Sequence, residues 1–294
     1  MATKETRRKI DAYVMHAHVG TTPLDNYQRL FRDIEQMEAS ERRLVQGDRQ
    51  TSLPNISIGG DRVRLVAYEG DTGVNPLIFN IEQGSERHTR LRENEILATR
   101  TQAVLDCRTR KVVVEYNQRG AKASDFTAMI AAFGRRALST EDFTFDLAPL
   151  PGQSFLEELR KFGRVQLANV KLTRPNHDWN DAEDALSGVA QDSQARMFEV
   201  TLTAQRRGSL SLRHGILAAI RQMVSRSHPN VKDVRVRGFH EGSSAQTDLS
   251  LQKHFQHKRV EVRRGADGYP RPDDISHHLE VYLDELIAAP EKND

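Results

Sequence analysis

Three features of the sequence predict an α+β fold. Short β-branched runs alternate with polar residues, as in RVRLVAY at 62–68 and KVVVEY at 111–116, the period-two pattern of strands. Five other segments repeat apolar residues at three- and four-residue spacing, which marks helices with one buried face. From residue 143 onward the order strand, helix, strand occurs twice in series, which predicts a ferredoxin-like βαββαβ core. At 294 residues the chain is long enough for two cores. The expected division lies near Leu138–Glu141, giving an α+β domain over 1–139 and a ferredoxin-like domain with a C-terminal strand–helix extension over 140–294.

The elements follow in order. Lys9 to Val19 reads as a strand, and Pro23 to Met37 as a helix in which Leu24, Tyr27, Leu30, Phe31 and Ile34 share one face. Strands are expected at Arg62–Tyr68 and, after a Gly-Asp-Thr-Gly turn, at Leu77–Ile81, with Glu82 to Asn94 as loop. Thr101–Asp106 and Lys111–Tyr116 form a hairpin across CRTR. A helix then starts with Ser124 as N-cap, buries Phe126, Met129, Ile130 and Phe133, and ends near Gly134. This first domain reads as one sheet with its helices on a single face.

In the second half, Phe143–Leu147, Gln153–Lys161 and Arg164–Leu172 make one strand–helix–strand unit, and Met197–Ala204, Leu210–Arg226 and Val231–Phe239 the next. Between them lies an acidic insertion in which Asp181 can cap a short helix. Thr247–Leu251 and His257–Arg263 are further strands, and Asp274–Ala288 is a closing helix with Ile275, Leu279, Tyr282, Leu283 and Leu286 inward.

Composition narrows the function classes. With 37% hydrophobic and 29% charged residues the chain is too apolar for wholesale disorder. One cysteine, Cys107, permits no internal disulfide and fits the cytoplasm. No apolar run is long enough to span a bilayer, and MATKETRRKIDAYVMHAHVG lacks the apolar stretch of a secretion signal, so no membrane partner is expected. The net charge of +2 hides an asymmetry: 14 Lys and Arg stand against five acids between Arg196 and Arg264, and the remainder is net acidic.

Several groupings bear on chemistry. The loop Asn117–Gln118–Arg119–Gly120, with Lys122, precedes a helix start, where free N–H groups favour an anion, although strand-to-helix turns ordinarily use such residues. Asp106 and Glu115 on paired strands resemble the Mg²⁺-holding carboxylates of restriction-type nucleases, but the expected lysine is replaced by Asn117. His16 and His18 share a strand face without further ligands, so no metal or other cofactor is expected. Cys107 lies beside Arg108 and Arg110, which would lower its pKa, yet no general base accompanies it. On the strand Val234–Arg237 the valines take one face and Arg235 and Arg237 the other. Arg213 lies off the apolar face of its helix, and Arg206, Arg207, Arg263 and Arg264 lie at strand ends. On the open face of a βαββαβ sheet these cations would suit phosphates, and the aromatic pair that stacks bases in RNA-recognition sheets is missing.

The stretch AVLDCRTRKVVVEYNQRGAKASDF is similar to a segment of uncharacterised bacterial proteins found near anti-phage defence genes, with a layout like the DNA-binding B component of the Kiwa system. The resemblance covers about thirty residues and implies an accessory, non-enzymatic role in defence. It transfers no catalytic residue. The expected function is a non-catalytic component that contacts DNA or RNA backbone through Arg119, Lys122, Arg206, Arg207, Arg213, Arg235, Arg237, Arg263 and Arg264. The alternatives are a structural or regulatory subunit that binds an acidic protein partner or forms a homo-oligomer, and a metal-dependent nuclease.

Overall fold

The computed structural model of the protein describes residues 5–173, 197–206, 208–225 and 231–289. The acidic insertion with its expected helix at Asp181, and Arg207, lie outside the described residues. The fold is mixed α+β.

Strand β1 (Glu5–Val19) is the spine of a nine-stranded antiparallel sheet. A two-residue strand, β2 (Thr22–Pro23), folds back on its end and leads into helix α1 (Tyr27–Gln36). That helix starts where the Asn26 side chain accepts the Arg29 N–H at 2.9 Å, and it buries Tyr27, Leu30, Phe31 and Ile34, the face expected from the spacing. The chain continues as β3 (Arg43–Gln46), β4 (Arg49–Gly59) and β5 (Arg62–Asp71). A separate hairpin follows, β6 (Leu77–Asn80) with β7 (Ser85–His88), so part of the expected loop is a strand. The hairpin β8 (Thr99–Asp106) and β9 (Lys111–Tyr116) forms as expected, with β9 against β1.

Helix α2 (Ala123–Ala137) differs at both ends from the sequence reading. Its N-cap is Lys122 rather than Ser124, because Asp125 turns back to accept the Lys122 N–H at 2.7 Å. It runs on through Gly134, where the missing side chain makes room for Phe143: a Cβ there would lie 2.2 Å from the ring. Phe143 opens β10 (Phe143–Pro149), which pairs with the C-terminal half of β1.

The next four strands and two helices make a second sheet: α3 (Gln153–Arg160), β11 (Phe162–Thr173), β12 (Met197–Thr203), α4 (Ile216–Ser225), β13 (Val231–His240) and β14 (Gln246–Ser250). Its order is β12-β11-β13-β14, antiparallel throughout. The expected βαββαβ set needs the 143–149 strand within this sheet. That strand is instead an edge neighbour of β1, so the second sheet has a different strand set and order. One face of it packs on both helices through Phe155, Leu159, Leu217, Ile220, Val170, Val234 and Val236.

The chain then returns to the large sheet. Strand β15 (His257–Arg263) pairs with the N-terminal half of β1, on the same edge as β10, and helix α5 (Pro272–Ala288) packs behind it. These two elements therefore complete the first sheet and do not extend the second. They also give it a second covered face. Met15 and Ala17 face the core beneath α1 and α2, whereas Ile10 and Ala12 face Val260, Val262, Leu279 and Leu283 beside α5. Three ion pairs fasten α5 to two strands: Asp284 to Arg62 and Glu280 to Arg64 on β5, and Glu285 to Lys258 on β15. No described helix is long and apolar enough to cross a membrane.

Candidate functional site

The loop before α2 turns a corner and is held by its own chain. Asn117 donates from Nδ2 to the Arg100 carbonyl at 3.0 Å and accepts the Arg119 N–H through Oδ1. Gly120 serves close packing, since a Cβ there would lie 2.3 Å from the Thr101 hydroxyl. At the helix N-terminus the place of an anion is taken by Asp125, which Arg49 meets at 3.0 Å while its Nε donates to Glu69 at 2.7 Å. Arg119 and Lys122 are exposed there and form no ion pair among the described residues.

The nuclease geometry does not form. Asp106 and Glu115 point to the α5 face of the hairpin but stand at opposite ends of it. Asp106 lies opposite Arg62, and Glu115 opposite Ile10 with its carboxylate accepting the Gln102 N–H. Gln102 and Asp106 are four residues apart on β8, about 13 Å at the strand rise, too far to share one cation. Asp106 instead closes the CRTR turn, accepting the Thr109 N–H and hydroxyl at 2.7 Å each. Glu115 is buried, and that burial raises its pKa against the opposing pull of Arg8. No cluster of three metal-ligating side chains occurs among the described residues.

His16, His18, Asp25, Tyr27, Cys107, Arg108 and Arg110 line one recess of about 290 Å³ at the end of the large sheet. The thiol in it is not activated as its flanking arginines suggest. Burial first, then the charges of Asp106 and Asp61, push the Cys107 pKa up to about 12.

The basic candidates occupy three places. Arg263 and Arg264 end β15 on the large sheet. There Arg263 forms a bidentate pair with Asp274 at 2.8 and 2.5 Å, and Arg264 donates to the Gly268 carbonyl at 3.2 Å. The Arg263 guanidinium holds the Asp274 carboxyl well below the usual carboxylate range. Arg206 and Arg213 are exposed in the connection between β12 and α4. Arg235 and Arg237 project from β13 onto the sheet face opposite the helices, as the alternation with Val234 and Val236 requires.

That face is the most developed surface among these. Arg235 donates to Asp233 at 2.9 Å, and Arg237 donates to Asp248 on the neighbouring strand at 2.6 Å. Asp233 is buried and also accepts the Ser250 hydroxyl at 3.3 Å. On the other side Asn169 donates to Thr201 at 2.6 Å and to Glu199. Lys171 stands opposite both Glu199 and Asp233. At one end the Arg164 guanidinium lies 4.2 Å from the Phe239 ring centre, a cation–π pair that sequence reading missed. Phe239 has the same strand parity as Arg235 and Arg237, which is the signal that could have found it. The three carboxylates make the face a cross-strand ladder of mixed charge, not a uniformly basic one.

No protein-family model matches the chain, and no curated protein matches it.

Proposed function

We propose that the protein is a non-catalytic binding component that contacts nucleic-acid backbone through the uncovered face of its four-stranded sheet. The observation that carries this reading is the array Arg164, Lys171, Arg235 and Arg237 on that face, with both β13 arginines exposed and Phe239 beside them. A phosphate approaching Arg237 competes with the solvent-exposed Asp248, and releasing that carboxylate to water costs little. Arg206 and Arg213 add phosphate contacts in this reading, while Arg119, Lys122, Arg263 and Arg264 lie on or beside the large sheet and act as secondary contacts. The stretch 152–255 is taken as a separate unit, carried between two strands of the first. A cytoplasmic location and membership of an anti-phage defence system agree with the single reduced thiol and with the resemblance of the 103–126 segment.

Fluorescence anisotropy of the full chain with single-stranded DNA, duplex DNA and RNA across a salt series tests it. Affinity should fall steeply with salt, Arg235→Ala with Arg237→Ala should weaken binding about 10-fold or more, and Asp248→Asn should strengthen it. Salt-independent binding, or binding unchanged in the double variant, removes the reading.

The ladder of alternating charge favours a second reading, a structural or regulatory subunit whose face meets a protein surface of complementary pattern. In that case none of the three nucleic acids binds at moderate salt.

A further inference from the structure

The hairpin of β6 and β7 pairs with no other strand of the described chain. Leu77 stands opposite His88 and Phe79 opposite Glu86, and every residue of both strands is exposed. Apolar side chains nevertheless crowd this arm: Phe79 is 58% exposed, Ile81 88% and Leu97 66%, with Val74, Leu77 and Ile78 beside them. A lone two-stranded hairpin is marginal in water, and apolar groups gathered on it mark a surface that something covers. The outer edge of β6 also offers unpaired backbone groups. Among the described residues the arm is anchored at its base, where the Thr72 N–H reaches the Asp48 carbonyl at 2.7 Å and Gly70 admits the Leu97 carbonyl so closely that a Cβ would lie 2.5 Å from its oxygen.

Charge along the arm identifies the cover. The tip, residues 80–86, carries Glu82 and Glu86 and no cation. The stem that follows, residues 87–92, carries Arg87, Arg90 and Arg92 and no acid; Glu93 and Glu95 come next, and Arg92 meets Glu95 at 3.6 Å. Two such arms laid antiparallel set an acidic tip against a basic stem twice over, whereas a parallel arrangement sets like charges together.

We propose that β6 pairs antiparallel with β6 of a second copy of this chain. The product is a four-stranded ribbon in which Leu77 and Phe79 of the two copies cover each other and Glu82 of each copy meets Arg90 of the other. Strands this short bury a small area, so the dimer is weak, with a dissociation constant on the order of 10 μM.

Sedimentation equilibrium of the full chain over concentrations on both sides of that value tests the proposal. The wild-type mass should rise toward twice the chain mass. Phe79→Glu should weaken association at least ~10-fold and leave the circular dichroism spectrum unchanged, because the side chain belongs to none of the three hydrophobic cores. Glu82→Arg and Arg90→Glu should each weaken it, and the two together should restore it, which only pairing between copies of the same chain predicts. A wild type that stays monomeric throughout, a dimer indifferent to Phe79→Glu, or a double variant no tighter than the single ones overturns the proposal. The last two outcomes point to a different occupant of the arm.

Discussion

The backbone N–H of Gln256 reaches the carbonyl oxygen of Leu150 at 2.8 Å, and this contact draws together the two ends of the stretch that carries the second sheet. Gly152 repeats it two residues on, donating to the His254 carbonyl at 2.8 Å, and Ala12 in the middle of β1 bonds both strands of the neck. Neither hydrophobic core of the large sheet includes a residue between Gly152 and Phe255, and the core of the second sheet lies wholly inside that span. Replacing residues 153–253 by an Asn-Gly turn should therefore leave a remainder that melts cooperatively and keeps a strand-rich circular dichroism spectrum. A broad transition would show that the two sheets need each other to fold.

Gly134 gives a sharper packing test. Glycine within a helix ordinarily costs about 1 kcal/mol relative to alanine, so Gly134→Ala would stabilise an exposed site. Here the added methyl meets the Phe143 ring at 2.2 Å, between α2 and the first residue of β10. Both groups are buried and neither can retreat without disturbing the core. The overpacking penalty of about 1–3 kcal/mol should exceed the propensity gain. Urea unfolding should show a lower midpoint in the variant with an unchanged slope, and a midpoint at or above wild type would mean that Phe143 repacks.

The same position shows what the sequence disclosed and where it stopped. Alternation placed Val63 and Leu65, Val234 and Val236 on buried faces, and three- to four-residue spacing placed Leu30, Phe31, Leu279 and Leu283 on helix faces. Periodicity reports which side of an element is apolar but is silent on which distant element covers it. Nothing local in Phe143–Pro149 or His257–Arg263 announces that both pair with β1 on one edge, so the closing helix was expected on the wrong sheet. Glycine punctuation misled at Gly134 because the reason for that glycine is an aromatic ring nine residues on. On the candidate face, Arg235 and Arg237 were legible as outward-facing. The partner of Arg237, Asp248, was not, because it sits across a strand boundary that only the register fixes. Ser85–His88 escaped as a strand because none of its residues is buried and none is β-branched.

Cys107 should be a slow thiol. With its pKa pushed up to about 12 by burial and the neighbouring Asp106 and Asp61, the reactive thiolate is a minute fraction at neutral pH. Ellman's reagent at pH 8 should modify the folded chain at least ~10-fold more slowly than the chain in denaturant. Equal rates would show that the recess formed with His16 and Arg110 opens freely to solvent.

Glu115 sets a pH dependence whose sign follows from its surroundings. Burial is the main influence and raises its pKa, while the Arg8 guanidinium at 3.8 Å and the Gln102 N–H pull the other way without cancelling it. A carboxyl with a higher pKa in the folded state holds its proton more tightly there than in the unfolded chain. Its contribution to stability is therefore full below the ordinary glutamate range and is lost as pH rises through the folded value. Glu115→Gln keeps the shape and removes the titration, whereas Asp11, also raised by burial, is common to both proteins and cancels in the comparison. Urea midpoints measured between about pH 4 and pH 7 should thus show the variant gaining on wild type as pH increases. If wild type gains instead, the ion pair with Arg8 outweighs the cost of burying the charge.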